Sequence, residues 1–213
     1  MAVSPRRALI VVDVQNEYFT GNLQIEYPPS SGSLANITRI MDAATAAGVP
    51  VIVIQQDSPA NGPAFAVGSH GWQLHDEVAR RHRDALFNKP LPSAFSDTGL
   101  AAWLEAHAID TVTVVGYMTH NCNDTTMKHA FDRGLSVEFV HDASGAVSYA
   151  NRAGYASAEE IHRVFSVVEH SRFAAVLGTD EWLHALATGA VPERGDILGS
   201  YRAAQARQAS AAA

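Results

Sequence analysis

The chain has 213 residues, of which 47% are hydrophobic and 17% are charged, and its formal net charge is −7. This composition is typical of one globular domain with a full core, and it excludes a largely disordered chain. The acidic balance argues against nucleic acid or an anionic membrane as a partner.

The N-terminal segment predicts neither a signal peptide nor a membrane span. Its apolar run, residues 8–12, is too short for either and ends at Asp13. The chain contains a single cysteine, Cys122, so it cannot form an intramolecular disulfide, which fits a reducing compartment. We therefore expect a cytoplasmic protein.

Apolar runs recur along the chain and are typical of strands buried on both faces of a parallel sheet. They span residues 8–14, 49–55, 111–115, 135–140 and 173–177, and the weaker stretch 85–88 is a further candidate.

Helical patterns separate these runs. Ser33 is predicted to cap a helix that stops at Gly48, and Ser157 with Glu160 has the sequence of a capping box. The helical segments run over residues 33–48, 98–107, 122–134 and from 157 onward. Strands that alternate with helices predict an α/β fold, a three-layer α/β/α sandwich around a mostly parallel, Rossmann-like sheet.

One domain is predicted over residues 1–201, with an Ala-rich tail over 202–213. The tail has low complexity and is predicted to be either a frayed helix or disordered. The glycine-containing stretches 61–71 and 144–155 are predicted to be loops that shape a pocket.

Reactive side chains follow the predicted strands. Asp13 ends the first, Lys89 follows the 85–88 stretch, and Cys122 comes after the strand over 111–115. Ligands of open parallel sheets bind beyond the carboxyl ends of the strands, so we expect these side chains to lie near a binding site. A buried carboxylate is costly without a partner, and Lys89 is the candidate partner of Asp13.

Cys122 stands at the start of a predicted helix. Unpaired backbone N–H groups and the helix dipole there favour a thiolate, which predicts a nucleophile. The alternative is a small, inert, buried residue, which is common for free cysteines. The position of Cys122 alone does not decide between the two.

The chain resembles the isochorismatase-like cysteine hydrolases in three motifs that occur in that family's order. They are Ala-Leu-Ile-Val-Val-Asp-Val-Gln-Asn at 8–16, Asn-Lys-Pro-Leu-Pro-Ser-Ala-Phe at 88–95, and Val-Gly-Tyr-Met-Thr-His-Asn-Cys at 115–122. The similarity spans roughly residues 8–188. It implies a parallel sheet of six strands and a catalytic triad of Asp13, Lys89 and Cys122 that needs no cofactor.

The resemblance also implies a role for each triad member. Cys122 would attack a carbonyl carbon, Asp13 would move the proton, and Lys89 would keep Asp13 ionised and stabilise the thiolate. The alternative for Asp13 and Lys89 is a structural ion pair. A cis peptide between Tyr117 and Met118 is implied as well, with the backbone N–H groups of Met118 and Cys122 as an oxyanion hole.

The family resemblance narrows the substrate. Nicotinamidases of this family bind a metal through an Asp-x-His pair and a second histidine, but this chain has Pro59 where the first histidine belongs. We therefore predict no metal site, with His70 and His75 as loop residues. The subgroup that the chain most resembles is labelled streptothricin hydrolase, whose members open a cyclic amide.

Aromatic side chains near the strand ends are candidates for the substrate-binding wall. They are Phe19, Tyr27, Trp72, Tyr117 and His120. For each, ordinary packing is the alternative. His120 resembles the base of a protease dyad, but a residue two positions from Cys122 on a turn need not face the thiol.

These observations predict a metal-independent cysteine hydrolase that acts on a small amide or lactam. One alternative is vinyl-ether hydrolysis of the isochorismatase type, although true isochorismatases lack a cysteine at the nucleophile position. Another is a ligand-binding relative without catalysis. The resemblance also implies a homo-oligomer, either a dimer or a tetramer.

Overall fold

A parallel sheet forms the centre of the protein in the computed structural model, which describes residues 4–211. The strands of this sheet are β1 (Arg7–Val12), β2 (Val51–Gln56), β3 (Ala85–Lys89), β4 (Thr111–Tyr117), β5 (Ser136–Gly145) and β8 (Ala175–Leu177). Its six strands lie in the order β3-β2-β1-β4-β5-β8. A separate antiparallel hairpin consists of β6 (Tyr149–Asn151) and β7 (Gly154–Ala156).

Helices connect the strands. They are α1 (Ser30–Ala46), α2 (Asp76–Ala79), α3 (Leu100–Ala106), α4 (Asp124–Asp132), α5 (Ala158–His170), α6 (Thr179–Thr188) and α7 (Ile197–Ala211). A 3₁₀ turn spans Asn16–Tyr18, and a π-helical turn spans Thr119–Asn123. We call this second turn the cysteine turn, because it contains Cys122.

The alternation of side chains along β1 divides the core into two halves. Leu9 and Val11 pack with residues of α1 and α6 on one face of the sheet. Ala8, Ile10 and Val12 pack with residues of α3 and α4 on the other face. Both faces are therefore covered, which explains the continuous apolar runs and confirms the predicted three-layer α/β sandwich.

The predicted helix cap at Ser33 is wrong, whereas the capping box at Ser157 is confirmed. Helix α1 begins at Ser30, directly after Pro29, and Ser33 lies inside the helix with its hydroxyl 2.8 Å from the Tyr117 hydroxyl. The Ser33 hydroxyl therefore bonds to Tyr117 in the core and does not form the helix cap that the local pattern predicts. Ser157 accepts a hydrogen bond from the Glu160 backbone N–H, and the Glu160 carboxylate accepts one from Ser157.

The segment 144–155 is only partly the predicted loop. Strand β5 continues to Gly145, although the polar residues His141 and Asp142 interrupt its apolar pattern. Its ladder with β4 shifts register near Gly116 and then resumes, and this backbone pairing holds the polar part of the strand in the sheet. The hairpin of β6 and β7 follows.

The Ala-rich tail belongs to α7 as far as Ala211, and no residue of this helix is buried. Residues 212 and 213 of the predicted tail lie outside the described part of the chain. Among residues 4–211, no helix is long and apolar enough to span a bilayer.

Gly116 lets the two central strands approach each other. Its φ is +100°, and it pairs with Val12 across the ladder of β1 and β4. A Cβ atom at this position would overlap the backbone carbonyl oxygen of Val12. Only glycine therefore fits at position 116, one residue before the end of β4, after which the cysteine turn begins.

We expect Gly116→Ala to lower the free energy of unfolding by more than about 3 kcal/mol, because it adds a steric overlap to an unfavourable φ. Gly134→Ala is the matched control, since Gly134 has a φ of +82° but open space where its Cβ would lie. This control should lose only about 1–2 kcal/mol. Urea unfolding measures both values, and equal losses would contradict the close approach at Gly116.

Candidate active site

Three reactive side chains meet at one edge of the sheet. Asp13 directly follows β1, Lys89 is the last residue of β3, and Cys122 lies in the cysteine turn after β4. The chain order reverses between β1 and β4, which are neighbours in the sheet. Parallel strands end at a common edge, and a crevice opens there at the point of reversal. We call Asp13, Lys89 and Cys122 the trio.

The Lys89 ammonium contacts both other members of the trio. Its Nζ lies 2.8 Å from Asp13 Oδ2 and 3.3 Å from Cys122 Sγ, and it donates to Gln56 Oε1 at 2.6 Å. An ammonium has three N–H donors, and two of them go to Gln56 Oε1 and Cys122 Sγ, while the charge pairs with the Asp13 carboxylate. Lys89 is therefore held in one orientation, with its charge beside both the carboxylate and the sulfur.

The Asp13 carboxylate is fully buried and free to accept a proton. Its contact with Lys89 is an ion pair without hydrogen-bond geometry, and neither carboxylate oxygen accepts a hydrogen bond from the described residues. Burial raises the pKa of Asp13 above its ordinary value, while the nearby Lys89 charge opposes this increase. Asp13 also has a φ of +50°, a strained value for a residue with a side chain, and such strain clusters at functional sites.

The surroundings of the Cys122 thiol oppose the expected bias toward a thiolate. The residue is only 5% exposed, and burial raises the pKa of the thiol above its ordinary value. The Asp13 charge raises the thiol pKa further, and Lys89 opposes it. Burial and a neighbouring anion thus outweigh the helix start, so the thiol needs a base before it can react.

Two glutamines that the sequence reasoning missed support Lys89. The side chain of Gln15 donates to the Gln56 carbonyl at 3.0 Å and accepts from the Gln56 N–H at 2.8 Å. These two hydrogen bonds fix the backbone of Gln56 at the end of β2. The Gln56 side chain in turn accepts a hydrogen bond from Lys89. Their signal in the sequence was a glutamine directly after an apolar run, at 15 after residues 8–14 and at 56 after residues 49–55.

The residues of the expected metal position have other partners. Asp57 Oδ1 accepts from Trp72 Nε1 and Asn88 Nδ2, both at 2.7 Å. His75 caps α2, and His70 lies 3.3 Å from the Thr20 hydroxyl. Over residues 4–211, no group of three or more His, Cys, Asp or Glu side chains is arranged to hold a metal ion.

The predicted aromatic wall divides into several environments. Tyr117 is fully buried in the core, with its hydroxyl bonded to Ser33. Phe19 packs on the His75 ring at 4.4 Å and on Tyr117 at 5.8 Å, whereas Trp72 is tied to Asp57 through its indole N–H. Their contact with a substrate stays a prediction.

Tyr27 and His120 lie on the side of the site near α5. Tyr27 packs against His162 at 5.6 Å and lines a cavity of about 500 Å³, whose lining does not include the trio. The ring of His120 lies 4.9 Å from that of Tyr149, and its two nitrogens are buried without a hydrogen-bond partner among the described residues. Burial lowers the pKa of His120, so the ring is neutral at pH 7.

Tyr18 is another residue of the site that the sequence reasoning missed. Its ring is 2% exposed and packs against Phe65 at 5.1 Å. Burial is the main cause that raises the pKa of the Tyr18 hydroxyl, and the acidic groups of Cys122 and Asp13 nearby add to the increase. The phenol therefore shares the electrostatic environment of the trio. The sequence analysis names its neighbour Phe19 as a substrate-binding candidate and not Tyr18.

Comparison with known proteins connects this geometry to a family. The chain matches the Isochorismatase domain over residues 7–181. A crystal structure from Burkholderia xenovorans LB400, grouped with the isochorismatases, is 60% identical with a TM-score of 0.96 and covers 97% of this chain and 100% of that one. A cysteine hydrolase from Pseudomonas syringae pv. phaseolicola 1448A is 25% identical with a TM-score of 0.80, and the match covers 89% of this chain and 96% of that one. A streptothricin hydrolase of Streptomyces noursei is 34% identical over 138 residues, which are 64% of this chain and 49% of that protein.

Proposed function

The chain belongs to the isochorismatase family of hydrolases, and on that premise we propose that it cleaves the C–N bond of a small non-peptide amide or cyclic amide. The reaction would pass through a thioester on Cys122. The observation that carries this proposal is the position of Lys89 Nζ, 2.8 Å from Asp13 Oδ2 and 3.3 Å from Cys122 Sγ. A base, a cation and a nucleophile in contact are what acyl transfer to sulfur requires.

In the first step, Asp13 takes the proton of the Cys122 thiol while the sulfur attacks the amide carbon. A C–S bond forms, and the carbonyl oxygen gains a negative charge. The backbone N–H groups of Met118 and Cys122 are the proposed donors to that oxygen, and donors of this kind contribute roughly 10²–10³ in rate. Lys89 stabilises the sulfur as its proton leaves.

In the second step, the C–N bond breaks and Asp13 returns the proton to the departing nitrogen. The amine leaves, and the acyl group stays on Cys122 as a thioester. Asp13, again ionised, then takes a proton from water as the water oxygen attacks the thioester carbon. The C–S bond breaks, the sulfur regains the proton, and a carboxylic acid is released.

The charge of the site favours a neutral amide. Lys89 already forms an ion pair with Asp13 and hydrogen bonds with Gln56 and Cys122, so it is not available to bind a substrate carboxylate. The raised pKa of the buried thiol also suits a mechanism in which a base acts during attack. A purely structural ion pair of Asp13 and Lys89, the alternative in the sequence analysis, would not explain why Lys89 also contacts the Cys122 sulfur.

We further propose that the protein is a cytoplasmic homo-oligomer, either a dimer or a tetramer. Helix α7 has no buried residue and exposes Ile197, Leu198 and Tyr201. Helix α5 exposes Val164 and Val168 at helical spacing. Exposed apolar groups on adjacent turns of a helix are typical of protein–protein contacts.

A screen of small amides, ureido compounds and lactams for amine release tests the proposed reaction. We expect turnover for some of these compounds, and we expect a chelator to leave the rate unchanged because the mechanism uses no metal. Release of an alcohol or enol from vinyl ethers, without turnover of any amide, would favour the isochorismatase type of reaction. Loss of activity with chelator that zinc or iron restores would contradict the metal-independent mechanism.

A further inference from the structure

Both ends of the cysteine turn are anchored to Ser144 at the end of β5. Asn123, the neighbour of Cys122, donates from Nδ2 to the Ser144 hydroxyl at 2.9 Å and to the Gly116 carbonyl at 2.8 Å. Thr119, the first residue of the turn, places its hydroxyl 2.8 Å from the same Ser144 oxygen. The turn that carries the sulfur therefore depends on a buried polar network.

Thr119 extends this network to α5. Its hydroxyl donates to the Gly145 carbonyl at 3.1 Å and lies 2.8 Å from His162 Nδ1. A hydroxyl has one proton and two lone pairs, so a Thr119 that donates to Gly145 accepts from Ser144 and from His162. This arrangement satisfies every contact and assigns the ring proton of His162 to Nδ1. Burial, with nearby His141 and His120, lowers the pKa of His162 to about 4, so the ring is neutral at pH 7.

The other side of the His162 ring faces a cavity. His162 is 4% exposed, and together with Tyr27 and His141 it lines the cavity of about 500 Å³. Its Nε2 makes no hydrogen bond with any residue from 4 to 211, whereas Nδ1 is bonded to Thr119. The ring thus lies between this cavity and the cysteine turn, and its removal would leave a space of the size of an imidazole ring beside Thr119.

We propose that His162 is a positioning residue for Cys122, which holds the cysteine turn in its reactive geometry by donating its Nδ1 proton to the Thr119 hydroxyl. The inference rests on the proposed function, in which Cys122 is the nucleophile. A misplacement of about 1 Å can lower a rate on the order of 10²-fold, so loss of this contact has a measurable effect without any contact of His162 with the substrate.

The test measures alkylation of Cys122 by iodoacetamide, followed by intact mass, because the chain has one cysteine. We expect His162→Ala to lower the second-order rate constant on the order of tenfold or more. Added imidazole should fill the space next to the cavity and restore several-fold of the lost rate. His162→Asn, whose amide nitrogen can replace Nδ1 as the donor, should stay within about threefold of the wild type.

His170→Ala is the matched control. His170 also lies on α5 and lines the same cavity, but its Nδ1 accepts from the Val176 N–H at 3.2 Å and does not touch the cysteine turn. This variant should keep the wild-type rate and should not respond to imidazole. If His162→Ala does not fold, Thr119→Val removes the acceptor instead, and it should lower the rate to a similar extent.

The outcomes separate the two proposals. If His162→Ala, or Thr119→Val in its place, is alkylated at the wild-type rate, the positioning role is overturned. Cys122 remains the proposed nucleophile in that case. A loss of rate that imidazole does not restore and that His162→Asn shares would also overturn the positioning role, because general damage to the fold would explain the result. Wild-type amide turnover in Cys122→Ala would defeat the proposed function, and the positioning role with it, because Cys122 would then not be the nucleophile.

Discussion

Cys122→Ala is expected to abolish amide turnover, with a loss on the order of 10⁴–10⁶-fold, because the methyl group cannot form the thioester. The protein should remain folded, since the change removes one small, nearly buried group beside polar neighbours. Amine release measures the activity, and intact mass detects the acyl adduct that a slow substrate leaves on the wild type. The same adduct should be absent from the alanine variant.

Cys122→Ser is the control for shape at this position. The hydroxyl fills nearly the same space as the thiol, but it is far harder to deprotonate, so a geometrically intact site should still be inactive. A melting temperature close to that of the wild type would show that the loss is chemical. Wild-type turnover in the alanine variant would end the assignment of Cys122 as the nucleophile, whatever the behaviour of the serine variant.

The second large effect is expected for Asp13→Asn, which should lower turnover by about 10²–10⁴-fold. The amide cannot take the thiol proton or return it to the leaving nitrogen. In the wild type, turnover requires ionised Asp13, so the rate falls as the pH decreases through the pKa of Asp13. Because burial raises this pKa, the fall should occur at a higher pH than the ordinary value of 3.8, and the asparagine variant should lack this acidic limb.

Alkylation of Cys122 in the same variant distinguishes a base from a purely structural carboxylate. The Asp13 charge raises the pKa of the thiol, and Lys89 lowers it. Removing Asp13 while keeping Lys89 should therefore lower the thiol pKa, so that alkylation persists in alkaline solution while turnover is lost. Wild-type turnover, or an unchanged acidic limb in Asp13→Asn, would contradict the role of Asp13 as the base.

The mutual position of the trio could be predicted from the sequence because parallel strands end at one edge of a sheet. Asp13 and Lys89 directly end apolar runs, and Cys122 lies one short turn beyond a third run. A parallel sheet places all three at one edge without knowledge of any side-chain contact, whereas the order of the strands in the sheet is seen only in the structure. The family resemblance added the roles that spacing alone does not distinguish from a structural ion pair.

The local sequence pattern was misleading where a side chain forms a hydrogen bond with a residue far away in the sequence. Ser33 has the chemistry of a helix cap, but it bonds to Tyr117, 84 residues away. His162 stands in an ordinary amphipathic helix, and only folding places it against Thr119, 43 residues earlier. Neither contact has a sequence spacing that could indicate it, because both depend on how helices pack on the sheet.

The sequence by itself determined the order of strands and helices, the two-sided burial of the sheet, and the edge at which the reactive side chains lie. Only the tertiary structure decided how burial shifts the pKa of the thiol, which groups contact Lys89, and the polar network behind the cysteine turn. The physical reason is that periodicity is a local property, whereas a pKa depends on desolvation and charge summed over every element packed around the group. A helix start favours a thiolate at Cys122, but burial, together with the Asp13 charge beside it, raises the pKa of the thiol.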